Sequence, residues 1–350
     1  MRLTFILTGF IILIPLRLYS QQEYKPTFED TVQVYEDLFG RDEPLDLTLK
    51  FDIKQFSRSK MNEEYEPAEM TCYVNDSFHV THDVRVKARG IFRLDYCSMP
   101  PFWVNIKHAG IEAEDLTDVN KFKVVTRCKP PTIYNTYVLR EYLVYKIWNI
   151  LSPYGFNVRL VRLTFVDTGR KDKTTSNWGF IIEPEEMMAE RNNCIAIKND
   201  RLSVRTVNQE MMDKVALFSY MIGQSDYSVT GRHNLKILSS KVYGTTGFIP
   251  VPYDFDYTGL VNTSYSTPDP NLDISSVRER YYLGSCRTLD QYEETVKWLA
   301  SYRDQITDLI RNFQYMEENE RMKMIDYIDS YYAESESKNF VRRKIQATCR

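Results

Sequence analysis

The apolar and polar positions divide the chain into a strand-rich first part and a helical second part. Between residues 45 and 167, short runs of β-branched and aromatic residues alternate with period two at 45–53, 82–87, 102–107 and 122–126, which predicts strands. One segment has another period. From Tyr137 to Leu151, apolar residues at Val138, Leu139, Tyr142, Leu143, Ile147 and Ile150 follow helical spacing, and Pro153 and Gly155 predict the end of that helix. Strands are predicted again at 157–166 and 178–182, joined by a polar turn over 169–177. After Glu183 the pattern predicts helices at 184–192 and 208–222, strands at 234–238 and 247–251, and long amphipathic helices over 290–315 and 319–333. A β-rich stretch holding one helix, followed by a helical stretch, predicts an α+β chain of two lobes. The N-terminal lobe is expected over 23–183 and the C-terminal lobe over 184–350.

The first residues follow neither pattern. Arg2 is followed by an apolar run from Leu3 to Leu18, and polar sequence takes over at Tyr19-Ser20-Gln21-Gln22. That order predicts a signal peptide over 1–20, cleaved near Ser20. Gly9, Pro15 and Arg17 interrupt the run, whereas a spanning helix needs about twenty consecutive apolar residues. No later segment is long and apolar enough to span a bilayer, so no transmembrane segment is expected after cleavage. The expected location is outside the cytoplasm: periplasm, cell envelope or extracellular space.

Composition narrows the partners. Apolar residues make up 43% of the chain, enough for a sizeable core. The net charge of -3, with no run of Lys and Arg, argues against nucleic acid as a partner. Six cysteines, Cys72, Cys97, Cys128, Cys194, Cys286 and Cys349, can pair in an oxidising compartment, in more ways than the sequence can choose among. None forms a CxxC or Cys/His cluster, so a zinc site is not expected.

Candidate chemistry gathers at two predicted strand mouths. In one, a helix ends at Gly223 and the loop to the next strand carries Asp226, His233 and Asn234. In the other, the strand ending Pro250-Val-Pro252 runs into Tyr253-Asp254-Phe255-Asp256 and then Gly259. Asp and Asn there offer the hard oxygen ligands that Mg²⁺ on a nucleotide requires. Phosphoryl transfer also needs a cation on the phosphates. Lys123 lies in the predicted strand 122–126 and Glu141 in the following helix, the order of the strand Lys and helix Glu of protein kinases. A strand, then Arg89-Gly90 and Arg93, can form a turn over phosphates.

These pieces, in this order, resemble the CotH-type (spore coat protein H-like) atypical kinases and, more distantly, the HipA-type kinases. The resemblance rests on Arg89-Gly90 with Arg93 and Pro100-Pro101, on Leu139-Arg140-Glu141, on the strand 158–166, and on Trp178-Gly179-Phe180 leading to Glu183. It rests also on Asp226 with His233-Asn234 and on Pro252-Tyr253-Asp254-Phe255-Asp256, covering roughly residues 80 to 290. It implies a protein kinase-like fold in which the N-terminal lobe holds one αC-like helix. It further implies ATP with Mg²⁺ or Mn²⁺ as cofactors, and a protein or other hydroxyl as acceptor. Asp226 would orient the acceptor hydroxyl, while Asn234, Asp254 and Asp256 would hold the metal. Lys123 would contact the phosphates, fixed by Glu141, with Arg89 nearby, and the backbone around Ile182–Glu183 would face the adenine. Two features depart from protein kinases: no GxGxxG loop is present, and Asn234 follows Asp226 by eight residues where about five are usual, so the loop must bulge.

Plainer readings stay open beside these. Ser225-Asp226-Tyr227-Ser228 is good turn chemistry, Asp254 and Asp256 suit a solvated strand end, and Lys123 with Glu141 suits a surface pair. The chain is then either an exported phosphotransferase or a non-catalytic surface protein that uses a kinase-like fold to bind a partner. A hydrolase using the Asp254 and Asp256 carboxylates is a third reading.

Overall fold

The computed structural model describes residues 38–62, 64–75, 78–106, 121–198 and 202–350. The expected signal peptide at 1–20 lies outside them, as does Lys107 at the end of the strand expected over 102–107.

Seven strands close into a barrel in the order β1 (Leu45–Phe51), β2 (Glu66–Asn75), β3 (Phe78–Ala88), β4 (Phe102–Asn105), β5 (Lys121–Thr126), β7 (Lys173–Ile182) and β6 (Val158–Asp167). Closure comes from β1 pairing parallel to β6, with Leu45 opposite Val161 and Phe51 opposite Asp167. Along β1, buried residues alternate with half-exposed ones, as a strand with one face on a core requires. The interior is filled by Leu47, Leu49, Met70, Val84, Val86, Phe102, Val104, Phe122, Val124, Leu163 and Ile181. Helix α1 (Ile53–Ser59) brings Phe56 against the rings of Phe51 and Phe102.

The outer face of the barrel at β5, β6 and β7 carries helix α3 (Ile133–Leu151). This helix is buried on nearly every side, which is why Trp148, Tyr145, Leu143 and Ile147 share it with the buried charges of Arg140 and Glu141. It begins at Ile133, one turn earlier than the apolar spacing predicts. Full burial of side chains of this size contributes about 1.5–3 kcal/mol each.

The chain leaves the barrel at Ile182 and enters α4 (Glu185–Arg191). There follow β8 (Cys194–Ala196), α5 (Gln209–Ile222), β9 (Leu235–Ser240), β10 (Ile249–Pro252), α6 (Leu289–Ala300), α7 (Arg303–Arg311) and α8 (Glu318–Ser335). Strands β10, β9 and β8 form a small antiparallel sheet. Asn208 caps α5 by accepting from the Met211 N–H, and Gly223 ends it in the left-handed conformation.

Several expectations differ from what is observed. The polar turn expected over 169–177 is confined to 169–172; Lys173–Asn177 are the first half of β7, where Lys173–Ser176 are exposed and polar, so that stretch has no apolar face to announce a strand. The single helix expected over 290–315 is two, α6 and α7, broken at Ser301-Tyr302. Strand β2 was not expected, although Ala68, Met70 and Cys72 alternate with Glu69, Thr71 and Tyr73 along it, while β8 and helices α1 and α2 (Phe92–Tyr96) are too short to show a period. Four cysteines pair, Cys97 with Cys128 and Cys286 with Cys349, while Cys72 and Cys194 are free and buried. Among the described residues no helix is long and apolar enough to cross a membrane, and the two disulfides are compatible with export.

Candidate active site

The candidate residues meet where the barrel faces the β9–β10 hairpin. Lys123 sits on β5 opposite Trp103 of β4 and Ile182 of β7. Its ammonium lies 5.3 Å from the centroids of both the Trp103 and Tyr253 rings. Burial pushes its pKa down to about 7, with Arg89 and Lys236 repelling the charge and Asp254 and Glu185 opposing the shift. Arg89 is placed at the barrel rim by its N–H, which donates to Pro101 O at 2.8 Å, and its guanidinium lies over Trp103. Lys236, which the sequence did not single out, pairs with Glu185 at 3.0 Å and also lies over Tyr253. Three cations thus share one aromatic-walled space.

The oxygen ligands come from the hairpin. Beyond Gly223, the Asp226 carboxylate is half exposed, 3.0 Å from His233 Nε2. Asn234 Nδ2 donates to Asp226 O at 2.6 Å and to its Oδ2 at 3.3 Å. The long spacing between Asp226 and Asn234 is taken up by a closed turn in which Ser228 and His233 exchange backbone hydrogen bonds at 2.9 and 3.0 Å. The bulge therefore returns Asn234 to Asp226. Asn234 O accepts from Tyr253 N–H at 3.1 Å, which sets Asp254 beside it. Asn234 and Asp254 both adopt left-handed backbone, φ 51° and 61°, a conformation Asn and Asp tolerate better than other non-Gly residues. The Asp254 N–H donates to the Tyr145 hydroxyl at 2.9 Å, and its O accepts from Gln224 Nε2 at 3.4 Å. Its carboxylate remains 37% exposed.

Asn234 and Asp254 fit a hard divalent cation. Asn234 uses its amide NH₂ on Asp226, and its Oδ1 has no donor among the described residues, while Asp254 presents an exposed carboxylate. Asp256, expected as a third ligand, is different. It is buried, and its Oδ2 accepts from Arg93 Nε at 2.7 Å and from the Tyr265 hydroxyl at 3.0 Å, so its charge is met by protein donors.

Glu141 does not pair with Lys123. Its Oε2 lies 3.2 Å from Arg93 Nη2, and Lys123 has no carboxylate within ion-pair distance among the described residues. The reason is reach: Arg93 enters from α2 at the rim and stands between α3 and the Asp254–Asp256 segment. Burial and the neighbouring carboxylates raise the pKa values of Glu141 and Asp256, while Arg93 works against both shifts. Burial would discharge Arg93, and Asp256 and Glu141 more than offset it, so the guanidinium stays charged.

Glu183 is engaged in the connection itself. Its N–H donates to Asn157 O at 3.0 Å, and its buried carboxylate accepts from Asn157 N at 2.8 Å and pairs with Arg191 at 2.9 Å. Lys123, Glu141, Arg89, Asp226, Asn234, Asp254 and Asp256 are therefore brought to one region, and Glu183 borders it. Sequence reasoning missed Lys236 as a site residue, although its place two residues after Asn234 on the strand could have marked it.

No protein-family model matches the chain, and no curated protein matches it. Among solved structures, the crystal structure of a Helicobacter pylori proinflammatory kinase, CtkA, is similar. The alignment covers 71% of this chain and 90% of that one, with a TM-score of 0.37 and 9% identity. At that level no residue correspondence follows from it.

Proposed function

We propose that the chain is an exported CotH-like atypical kinase with a two-lobed kinase-like fold, transferring a phosphoryl group from ATP to a protein or other hydroxyl. The observation that carries this reading is the juxtaposition of two chemistries. Lys123 and Arg89 on the barrel and Lys236 on β9 supply positive charge, and Asn234 and Asp254 present oxygens on the hairpin side, next to the Asp226 carboxylate.

Each residue then has a defined task. Lys123, drawn to full charge by an anion, holds the phosphates with Arg89. Asp226, fixed by His233 and Asn234, accepts the hydrogen bond of the acceptor hydroxyl and orients it. Asn234 and Asp254 would hold Mg²⁺ or Mn²⁺, which when bound neutralises charge developing on the phosphates. The Trp103 and Tyr253 rings exclude water from one side of the site.

A second reading, a non-catalytic surface protein with a kinase-like fold, is favoured by one observation: among the described residues Lys123 lacks the carboxylate partner that its counterpart has in protein kinases. Incubation of the mature protein with γ-labelled ATP and Mg²⁺ or Mn²⁺ separates the two. Label transferred to the protein itself or to a hydroxyl-bearing acceptor, and lost in Asp226→Ala, supports the kinase. Nucleotide binding without transfer, under both metals, supports the second reading.

A further inference from the structure

Glu141, Asp254 and Asp256 each place one carboxylate oxygen within 4.8 Å of the others, the geometry of a three-carboxylate cation site. Arg93 stands among them. Its Nη2 lies 3.2 Å from Glu141, 3.6 Å from Asp254 and 2.7 Å from Asp256, and its Nε also donates to Asp256. The cluster still holds more acceptors than this one guanidinium meets: Glu141 Oε1 is buried without a hydrogen-bond partner, on a side chain only 3% exposed.

We propose that Arg93 is a positioning residue, a cation built into the chain that fills this cage, excludes free divalent ions from it, and leaves Asp254 facing outward. The planar fork of an arginine suits the task because Nε and Nη2 close on Asp256 side by side while Nη2 also donates to Glu141, a two-nitrogen grip that a lysine ammonium does not match. Arg93 is itself held. The helix that carries it ends at Cys97, bonded to Cys128, which lies between β5 with Lys123 and α3 with Glu141. Tyr96 and Tyr134 hydrogen-bond across the same joint at 2.9 Å, and Tyr265 reaches Asp256 from another side. The bridge therefore sets the guanidinium over the cage. The inference rests on the kinase reading only for the use to which Asp254 is put.

The test uses Mn²⁺ alone, without nucleotide, read by electron paramagnetic resonance as bound against free ion. Wild type is expected to hold Mn²⁺ weakly. Arg93→Gln removes the resident cation and is expected to bind Mn²⁺ at least about tenfold more tightly, because three hard oxygen ligands are then open. The double variant Arg93→Gln/Asp256→Asn keeps the net charge should the single variant not fold, and is expected to show a smaller gain. Cys97→Ser/Cys128→Ser is expected to move in the same direction, and Cys286→Ser/Cys349→Ser to match wild type. Mn²⁺ binding no tighter than wild type in both Arg93 variants overturns the proposal. Because no nucleotide is used, these outcomes are independent of whether wild type transfers phosphate.

Discussion

Arg93 Nε donates to Asp256 Oδ2 at 2.7 Å, across 163 positions of sequence. The same guanidinium reaches Glu141 on α3, so one side chain ties the barrel rim, the buried helix and the segment that carries Asp254. A buried charge with partners of this kind costs about 3–5 kcal/mol to leave unpaired, so Glu141 and Asp256 depend on Arg93 for their place in the core.

Lys123 gives a prediction about pH. Its pKa falls from 10.5 unfolded to about 7 folded, so between those values the unfolded chain binds the extra proton. The penalty for burying the charge is full below about pH 7 and is relieved as pH rises toward 10.5. Denaturation of wild type at pH 7 and pH 9 is expected to show a rise in stability that Lys123→Met lacks. Binding of ATP at pH 8 is expected to take up a proton, read as a heat that changes with buffer ionisation enthalpy in wild type and not in Lys123→Met. The variant should also bind ATP about ten- to a hundredfold more weakly, as for loss of one hydrogen bond to a charged group.

Asp226 and Asp254 are expected to fail differently. Asp226→Asn keeps the contacts to Asn234 and His233 in shape, so it should retain nucleotide and lose about 10²–10⁴-fold in transfer. Asp254→Ala should lose the metal-dependent part of nucleotide binding together with transfer. Titration calorimetry with and without Mg²⁺, beside a transfer assay, checks both.

The cysteines predict a thiol count. Denatured without reductant, the protein should titrate two thiols, those of Cys72 and Cys194. Removing Cys97–Cys128, which closes a separation of 31 residues, should lower stability by about 3–4 kcal/mol on the chain-entropy account.

At the connection between barrel and helices, Arg191 pairs with a Glu183 carboxylate that is 1% exposed. Arg191→Met leaves that carboxylate with the Asn157 N–H alone, which should cost about 1–3 kcal/mol in urea denaturation and leave the cage around Arg93 intact.

Elements whose side chains meet a core on one face were legible in the sequence, because burial writes its period there. β1 shows this, while β10 and the second half of α5, buried nearly all round, were legible as apolar runs bounded by turn residues. The outer half of β7 was not legible, since Thr174, Thr175 and Ser176 face solvent and pair with β6 through backbone and a Ser176–Thr164 hydroxyl contact at 2.8 Å. The acids and amide at the two strand mouths could be named because strand ends are where polar side chains collect around ligands. What they touch could not. Arg93 is separated by 48 residues from Glu141 and by 163 from Asp256, and no local pattern records which of Lys123 and Arg93 will reach Glu141 first. The closed turn at Ser228 and His233 was equally hidden, although the excess length of that loop required some excursion.

The most direct test of the central claim is the thermal stability of the protein with ATP, with Mg²⁺, and with both together. The account predicts a rise in melting temperature that requires both, persists in Asp226→Asn and disappears in Asp254→Ala. No rise in wild type with either Mg²⁺ or Mn²⁺, or a rise that Asp254→Ala retains, contradicts it.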